Sequence, residues 1–174
     1  MALVGLRCSG KSTVGRLLAE RLGRRFLDAD EELARRFGGG RTAGELLAEL
    51  GEPAFRQLEW RTLGALFSDS AGDSVIATGG GAVTSAHCRE LLARRALCVY
   101  LRAEPAVLCD RASRDPALRP DLVAGRAVLD LERQLELREP LYLDLAAVIV
   151  DAGARTPLEL AESLEAELRS RTRA

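Results

Sequence analysis

One stretch near the start of the chain leaves few folds open: Gly5-x-x-x-x-Gly10-Lys11-Ser12. Glycines bracketing such a loop let backbone N–H groups turn inward and cradle phosphate oxygens. The arrangement needs a strand entering the loop and a helix leaving it, because the helix turns its positive N-terminal end to the same anion. Both are predicted. Ala2 to Leu6 is a short apolar run, expected as a buried strand. Lys11 to Leu22 places Val14, Leu17, Leu18 and Leu22 on one helical face, and Gly23 stops it. Lys11 is the one lysine among 25 Lys and Arg residues. Arg is a planar fork, whereas Lys is a compact charge on a flexible stem. Lys11 therefore stands where a point charge can follow a β- or γ-phosphate, and Ser12 where a hydroxyl can meet magnesium. The loop implies a nucleotide's phosphates and Mg2+ as ligands. Its candidate nucleotide contacts are Gly5, Arg7, Cys8, Ser9, Gly10, Lys11, Ser12 and Thr13.

The rest of the chain alternates strand and helix patterns. Arg25 to Asp28 is a predicted strand, followed by helices near Glu31–Phe37, Thr42–Leu50 and Glu52–Phe67. Gly38-Gly39-Gly40 either stops the first of these with a turn or marks a hinge, and Thr42 with Glu45 forms a capping box for the second. Val75–Ala77 is a buried strand, Ser85–Arg95 a helix, Leu97–Leu101 a strand and Glu104–Ala112 a helix. Ser113 to Gly125 carries two prolines and no period, and is expected to be a mobile loop. Arg126 to Glu139 is a helix expected to end at Pro140, Ala147–Val150 the last strand, and Thr156-Pro157-Leu158-Glu159 the start of the last helix. Alternation of this kind implies an α/β fold: a five-stranded parallel sheet with helices on both faces. No linker or repeat divides the chain, so residues 1–174 are expected to be a single domain.

Composition narrows the function. A net charge of -1 gives no global field for nucleic acid or an anionic membrane. No apolar run approaches a membrane span, and no signal-peptide pattern opens the chain. Cys8, Cys88, Cys98 and Cys109 lack metal-ligand spacing, and His87 is the one histidine. Scattered cysteines in a chain of this size suit reduced thiols in a cytoplasm. His87 has no orienting neighbour in the pattern, so it is expected on an exposed helix face, and Trp60 is expected to serve packing.

Three further clusters bear on what receives the phosphate. Asp28 and Asp30 lie at the end of the second strand, the sheet edge where ligands bind in open α/β folds. They suit a metal and a substrate hydroxyl; alternatively, Asp30 only caps the next helix. In Gly51-Glu52-x-x-Phe55-Arg56-x-x-Glu59, Arg56 and Glu59 share a helix face, either at a site or as a surface ion pair. Thr78-Gly79-Gly80-Gly81 follows a buried strand, and its glycines would let a ligand ring lie against backbone.

In this combination the chain resembles shikimate kinase over nearly its whole length. The resemblance rests on the phosphate loop, the Leu27-Asp28-x-Asp30 step, the Arg56–Glu59 helix and the Thr78–Gly81 turn. Arg119-Pro120 and Arg138-x-Pro140-Leu141-Tyr142 complete it. It implies a P-loop kinase fold with a lid at about 113–125, and ATP-dependent phosphorylation of the 3-hydroxyl of shikimate by a monomeric cytoplasmic enzyme. By the same resemblance, Asp28 and Ser12 support magnesium, and Asp30 holds the substrate hydroxyls and accepts a proton. Arg56 and Arg138 clamp the substrate carboxylate, as bidentate Arg geometry suits. Gly79, Gly80 and Gly81 form the platform under the ring, Arg119 is the lid arginine, and Arg111 packs against adenine. Lys11, Asp30 and Arg119 are the implied catalytic groups.

The chain departs from the family at Cys8, where glycine is common, and at Asp121, which follows Pro120 in the lid. If the backbone at Cys8 has positive φ, that residue carries strain. Two rivals stand beside this reading. Another small P-loop kinase, acting on gluconate or a nucleoside monophosphate, would lack a use for paired Arg56 and Arg138. A non-catalytic nucleotide-binding module would not need Asp30, Arg56, Arg119 and Arg138 together.

Overall fold

A computed structural model describes residues 1–69, 73–114 and 124–173. Five strands form one sheet in the order β2-β3-β1-β4-β5, every neighbouring pair parallel. They are β1 (Ala2–Val4), β2 (Arg25–Asp28), β3 (Ser74–Ala77), β4 (Cys98–Arg102) and β5 (Ala146–Asp151). The helices are α1 (Lys11–Leu22), α2 (Ala29–Phe37), α3 (Ala43–Asp69), α4 (Ala86–Arg95), α5 (Pro105–Ser113), α6 (Ala124–Leu145) and α7 (Pro157–Arg173). Successive strand residues point to opposite faces, yet every residue of β1 and β3 is buried. Both faces of the sheet centre are therefore covered by helices, as parallel strands require.

Local chemistry sets the helix ends. Gly23, at φ 64, donates its N–H to Ala19 and Glu20 carbonyls and closes α1. Thr42 and Glu45 cap α3 reciprocally, the Thr42 N–H donating to Glu45 Oε2 at 2.8 Å and the Glu45 N–H to Thr42 Oγ1 at 3.2 Å. The same box opens α7 through Thr156 and Glu159. Within α3, Gly51 leaves helical geometry at φ 74 and ψ 164. It separates the two helical stretches expected there and puts Pro53 in the first turn of the second, where its missing N–H costs little.

One expectation is corrected. Helix α6 does not end at Pro140 but continues to Leu145. Its last turn carries Tyr142, fully buried and stacked on Tyr100 of β4 with ring centroids 4.9 Å apart. That burial outweighs the local cost of the proline. Trp60, expected to serve packing, does so at the surface rather than inside: it is 43% exposed on α3, tilted against the exposed His87 ring at 5.4 Å.

The main core joins β1, β3 and β4 to the helices through Leu3, Val75, Val99, Leu18 and Leu164. A separate small core of Leu33, Leu46 and Phe55 ties α2 to α3. That second core carries Asp30, Arg56 and Glu59 as one unit. Register then sets the site. Leu3 pairs with Ala77, and Asp28 pairs with Ala77 from the other side. The loop after β1, the carboxylates after β2 and the glycine turn after β3 thus meet at one sheet edge. Among the described residues, no helix is long and apolar enough to cross a membrane.

Candidate functional site

The loop between β1 and α1 is shaped by glycine where side chains would collide. Gly5 has φ 146, and a Cβ there would come 2.7 Å from the Leu101 carbonyl oxygen of β4. Cys8 takes φ 63, the strained conformation anticipated for it. Ser9 Oγ is buried and, among the described residues, has no hydrogen-bond partner. An orphaned hydroxyl at this point in the loop fits an anionic ligand. Lys11 Nζ, 8% exposed, donates to the loop's own carbonyls, Gly5 O at 2.9 Å and Leu6 O at 2.7 Å. Burial lowers its pKa to about 8, with Asp30 and Asp28 opposing.

Beside the loop lies a cavity of about 260 Å³. Cys8, Ser9, Gly10 and Thr13 face Arg111 and Arg155 across it, with Pro157 at its margin. Arg111 is tied in place by donating to Ala152 O at 2.5 Å and Cys8 O at 3.4 Å. Arg155 and Pro157 escaped the sequence reading. They belong to the segment opening α7, which reaches the loop only through the packing of α7 on α1.

Asp28 has two separate tasks. Its Oδ1 accepts the N–H groups of Asp30 at 3.0 Å and Glu31 at 3.3 Å, capping α2. Its Oδ2 accepts the Ser12 hydroxyl at 2.6 Å. Asp28, not Asp30, is thus the helix cap, and the Asp30 side chain is left for other work. Burial raises the Asp30 pKa, and the neighbouring Asp28 charge raises it further. A hydroxyl and a carboxylate oxygen in contact are the donor types a hard divalent cation takes. Among the described residues, no group of three or more His, Cys, Asp and Glu side chains is placed to hold a metal by itself. Any such ion would need oxygens from a ligand or water.

The glycine turn lies against Asp30, Arg56, Glu59 and Arg138. A Cβ on Gly79 would run into the carboxylates of Asp30 and Glu59, and one on Gly81 into the Arg56 guanidinium. A Cβ on Gly80 would come 3.0 Å from the Arg7 backbone nitrogen, and Gly80 O accepts from Arg138 Nη1 at 3.5 Å. Arg7 itself is exposed. Arg56 is no surface ion-pair residue. It is 13% exposed and held by Glu59 at 2.5 Å and Glu52 at 2.7 Å. Its Nε is buried and, among the described residues, has no hydrogen-bond partner. A buried guanidinium N–H without an acceptor fits an anionic ligand.

Glu59 was missed as a site residue, although its i+3 spacing from Arg56 was the available signal. Burial lifts its pKa to about 7 against the pull of Arg56. Arg119, the lid at about 113–125 apart from its ends, and Asp121 lie outside the described residues.

Comparison with known proteins fits this geometry. The shikimate kinase family profile matches residues 7–169. The shikimate kinase of Symbiobacterium thermophilum is 39% identical over 98% of this chain and 97% of its own. That of Caulobacter vibrioides is 41% identical over 97% of this chain and 82% of its own. The crystallised shikimate kinase from Acinetobacter baumannii in complex with shikimate is 36% identical. It superposes with a TM-score of 0.87, covering 98% of this chain and 92% of that one. A gluconokinase from Sinorhizobium meliloti, 20% identical with a TM-score of 0.63, shares the fold alone. The chain belongs to the shikimate kinase family, a family of kinases that phosphorylate shikimate at the expense of ATP.

Proposed function

We propose that the chain carries out the family's reaction, transfer of the γ-phosphoryl group of ATP to the 3-hydroxyl of shikimate, with the residues that meet at the glycine turn. One observation carries this: a single turn, Gly79 to Gly81, lies against Asp30, Arg56 and Arg138 on one side and the loop backbone at Arg7 on the other. Acceptor and donor sites are thereby adjacent.

The backbone from Gly5 to Thr13 cradles the phosphates, and Ser9 Oγ gains in them the partner it lacks. Lys11 exchanges its two carbonyl contacts for phosphate oxygens. Arg111, with Arg155 and Pro157, lines the cavity that receives adenine. Ser12 and Asp28 would hold Mg2+, which would neutralise charge on the phosphates. Arg56 and Arg138 take the substrate carboxylate, and the turn backbone lies under the ring. Asp30 orients the hydroxyls and accepts the proton of the attacking one; its raised pKa makes it a better base. Arg119 is assigned to the lid and to the charge developing on the transferred group. The enzyme so described is monomeric and cytoplasmic, as scattered cysteines in a chain of this size suit.

The test is ADP release with ATP and Mg2+, comparing no acceptor, shikimate, gluconate and nucleoside monophosphates. Stimulation by shikimate alone is expected. Stimulation by another acceptor in its place would overturn the substrate assignment, and ATP binding without turnover would favour a non-catalytic module.

A further inference from the structure

Two donors on one helix converge on a single carbonyl oxygen. Tyr142 Oη donates to Gly80 O at 2.5 Å, and Arg138 Nη1 reaches the same oxygen at 3.5 Å. Arg138 and Tyr142 are four residues apart, so they share a face of α6. They do so only because α6 runs on through Pro140. The two contacts are unequal: the first is short, and the second lies at the limit of a hydrogen bond. Arg138 Nη1 has a better partner in Gln134 Oε1 at 3.0 Å.

Tyr142 is held firmly. It is fully buried, and its ring stacks on Tyr100 at 21° between planes. Tyr100 Oη donates to Glu139 Oε1 at 3.4 Å, and Glu139 pairs with Arg102 at 2.8 Å. Burial pushes the Tyr142 phenol above its ordinary pKa, against the opposing Arg138 guanidinium beside its hydroxyl, so it remains a donor at neutral pH.

We propose that Tyr142 is a positioning residue: by satisfying the Gly80 carbonyl alone, it leaves the Arg138 guanidinium available to the substrate carboxylate. The proposal rests on the assignment of Arg138 to that carboxylate. Gly80 is half-buried, and a carbonyl there that is shielded from water and without a donor is costly. With Tyr142 Oη in place, Arg138 gives up a 3.5 Å contact that the carbonyl does not need. Without it, Arg138 becomes the remaining donor to Gly80 O, and substrate must compete with the protein's own backbone for the arginine.

The test is Tyr142→Phe, which keeps the ring and its stacking and deletes one oxygen. KM for shikimate should rise about tenfold, the scale of one hydrogen bond, while KM for ATP and kcat change less than about twofold. Arg138→Ala should also raise the shikimate KM. Adding Tyr142→Phe to Arg138→Ala should raise it no further, because the hydroxyl acts through the arginine. Tyr100→Phe removes the other phenol of the stack and should leave KM normal. A raised KM in Arg138→Ala beside a normal KM in Tyr142→Phe overturns this proposal alone. A normal KM in Arg138→Ala overturns the carboxylate assignment and the proposal with it. Equal losses for ATP and shikimate in Tyr142→Phe, an undiminished effect in the double variant, or the same defect in Tyr100→Phe would assign Tyr142 to packing and overturn it as well.

Discussion

Ser12 Oγ and Asp28 Oδ2 are 2.6 Å apart, and the other oxygen of that carboxylate caps α2. One side chain therefore couples the phosphate loop to the helix that carries Asp30. Asp28→Ala should cost about 1 kcal/mol of stability, the usual loss for a missing cap, and raise the Mg2+ needed for half-maximal turnover. Asp28→Ser should restore the cap without restoring the Mg2+ response. In both variants Asp30 loses a negative neighbour, so the acid limb of the pH–rate profile should move to lower pH. Denaturation curves and Mg2+ titrations separate the two tasks. Equal Mg2+ dependence in all three proteins would remove Asp28 from the metal site.

Lys11, with a pKa lowered to about 8 by burial, gives nucleotide binding a pH dependence of known sign. The free protein loses the Lys11 proton as pH rises through about 8, while bound phosphate retains it. ATP affinity should be flat below that pH and fall above it, by at most about tenfold per pH unit. Calorimetry in buffers of different ionisation enthalpy should show proton uptake on binding there. Lys11→Met should abolish both the uptake and turnover while leaving the fold intact.

Gly81→Ala places a Cβ against the Arg56 guanidinium. The obstacle is the end of a flexible side chain, so the protein should fold with nearly its normal Tm. Displacing Arg56 should instead raise the shikimate KM at least about tenfold, with KM for ATP unchanged, since guanidinium–carboxylate bonds are among the stronger ones. Loss of ATP affinity of the same size would show that the turn does not belong to the acceptor side.

Glu59, with a pKa raised to about 7 by burial, links stability to pH. Its protonation is favoured in the folded state, so that contribution is full below the ordinary value of 4.5 and is lost as pH rises through about 7. Glu59→Gln lacks it. Relative to that variant, wild type should lose unfolding free energy across this window in urea titrations. Parallel stability curves would contradict the assignment.

What the sequence made legible was what short-range chemistry determines. The loop from Gly5 to Ser12, the Thr42/Glu45 and Thr156/Glu159 boxes and the buried runs of β1, β3 and β4 each follow from neighbours in the chain. What stayed hidden depends on distant partners. Pro140 looked like a helix end because the force that overrides it, Tyr142 on Tyr100, comes from β4. Arg56 and Glu59 could have been a surface pair until the turn after β3 buried Glu59 to 4% exposure. Arg155 and Pro157 join the cavity beside the loop only because α7 lies against α1. Trp60 was expected to serve packing, and nothing in its own helix announced that it would do so at the surface against His87.

The most direct test is the identity of the product. Phosphorus NMR of a mixture of protein, ATP, Mg2+ and shikimate should show ADP and a phosphate ester in equal amounts. The ester phosphorus should couple to the proton on carbon 3 of the ring. ADP with inorganic phosphate and no ester, or an ester on another hydroxyl, would contradict the account.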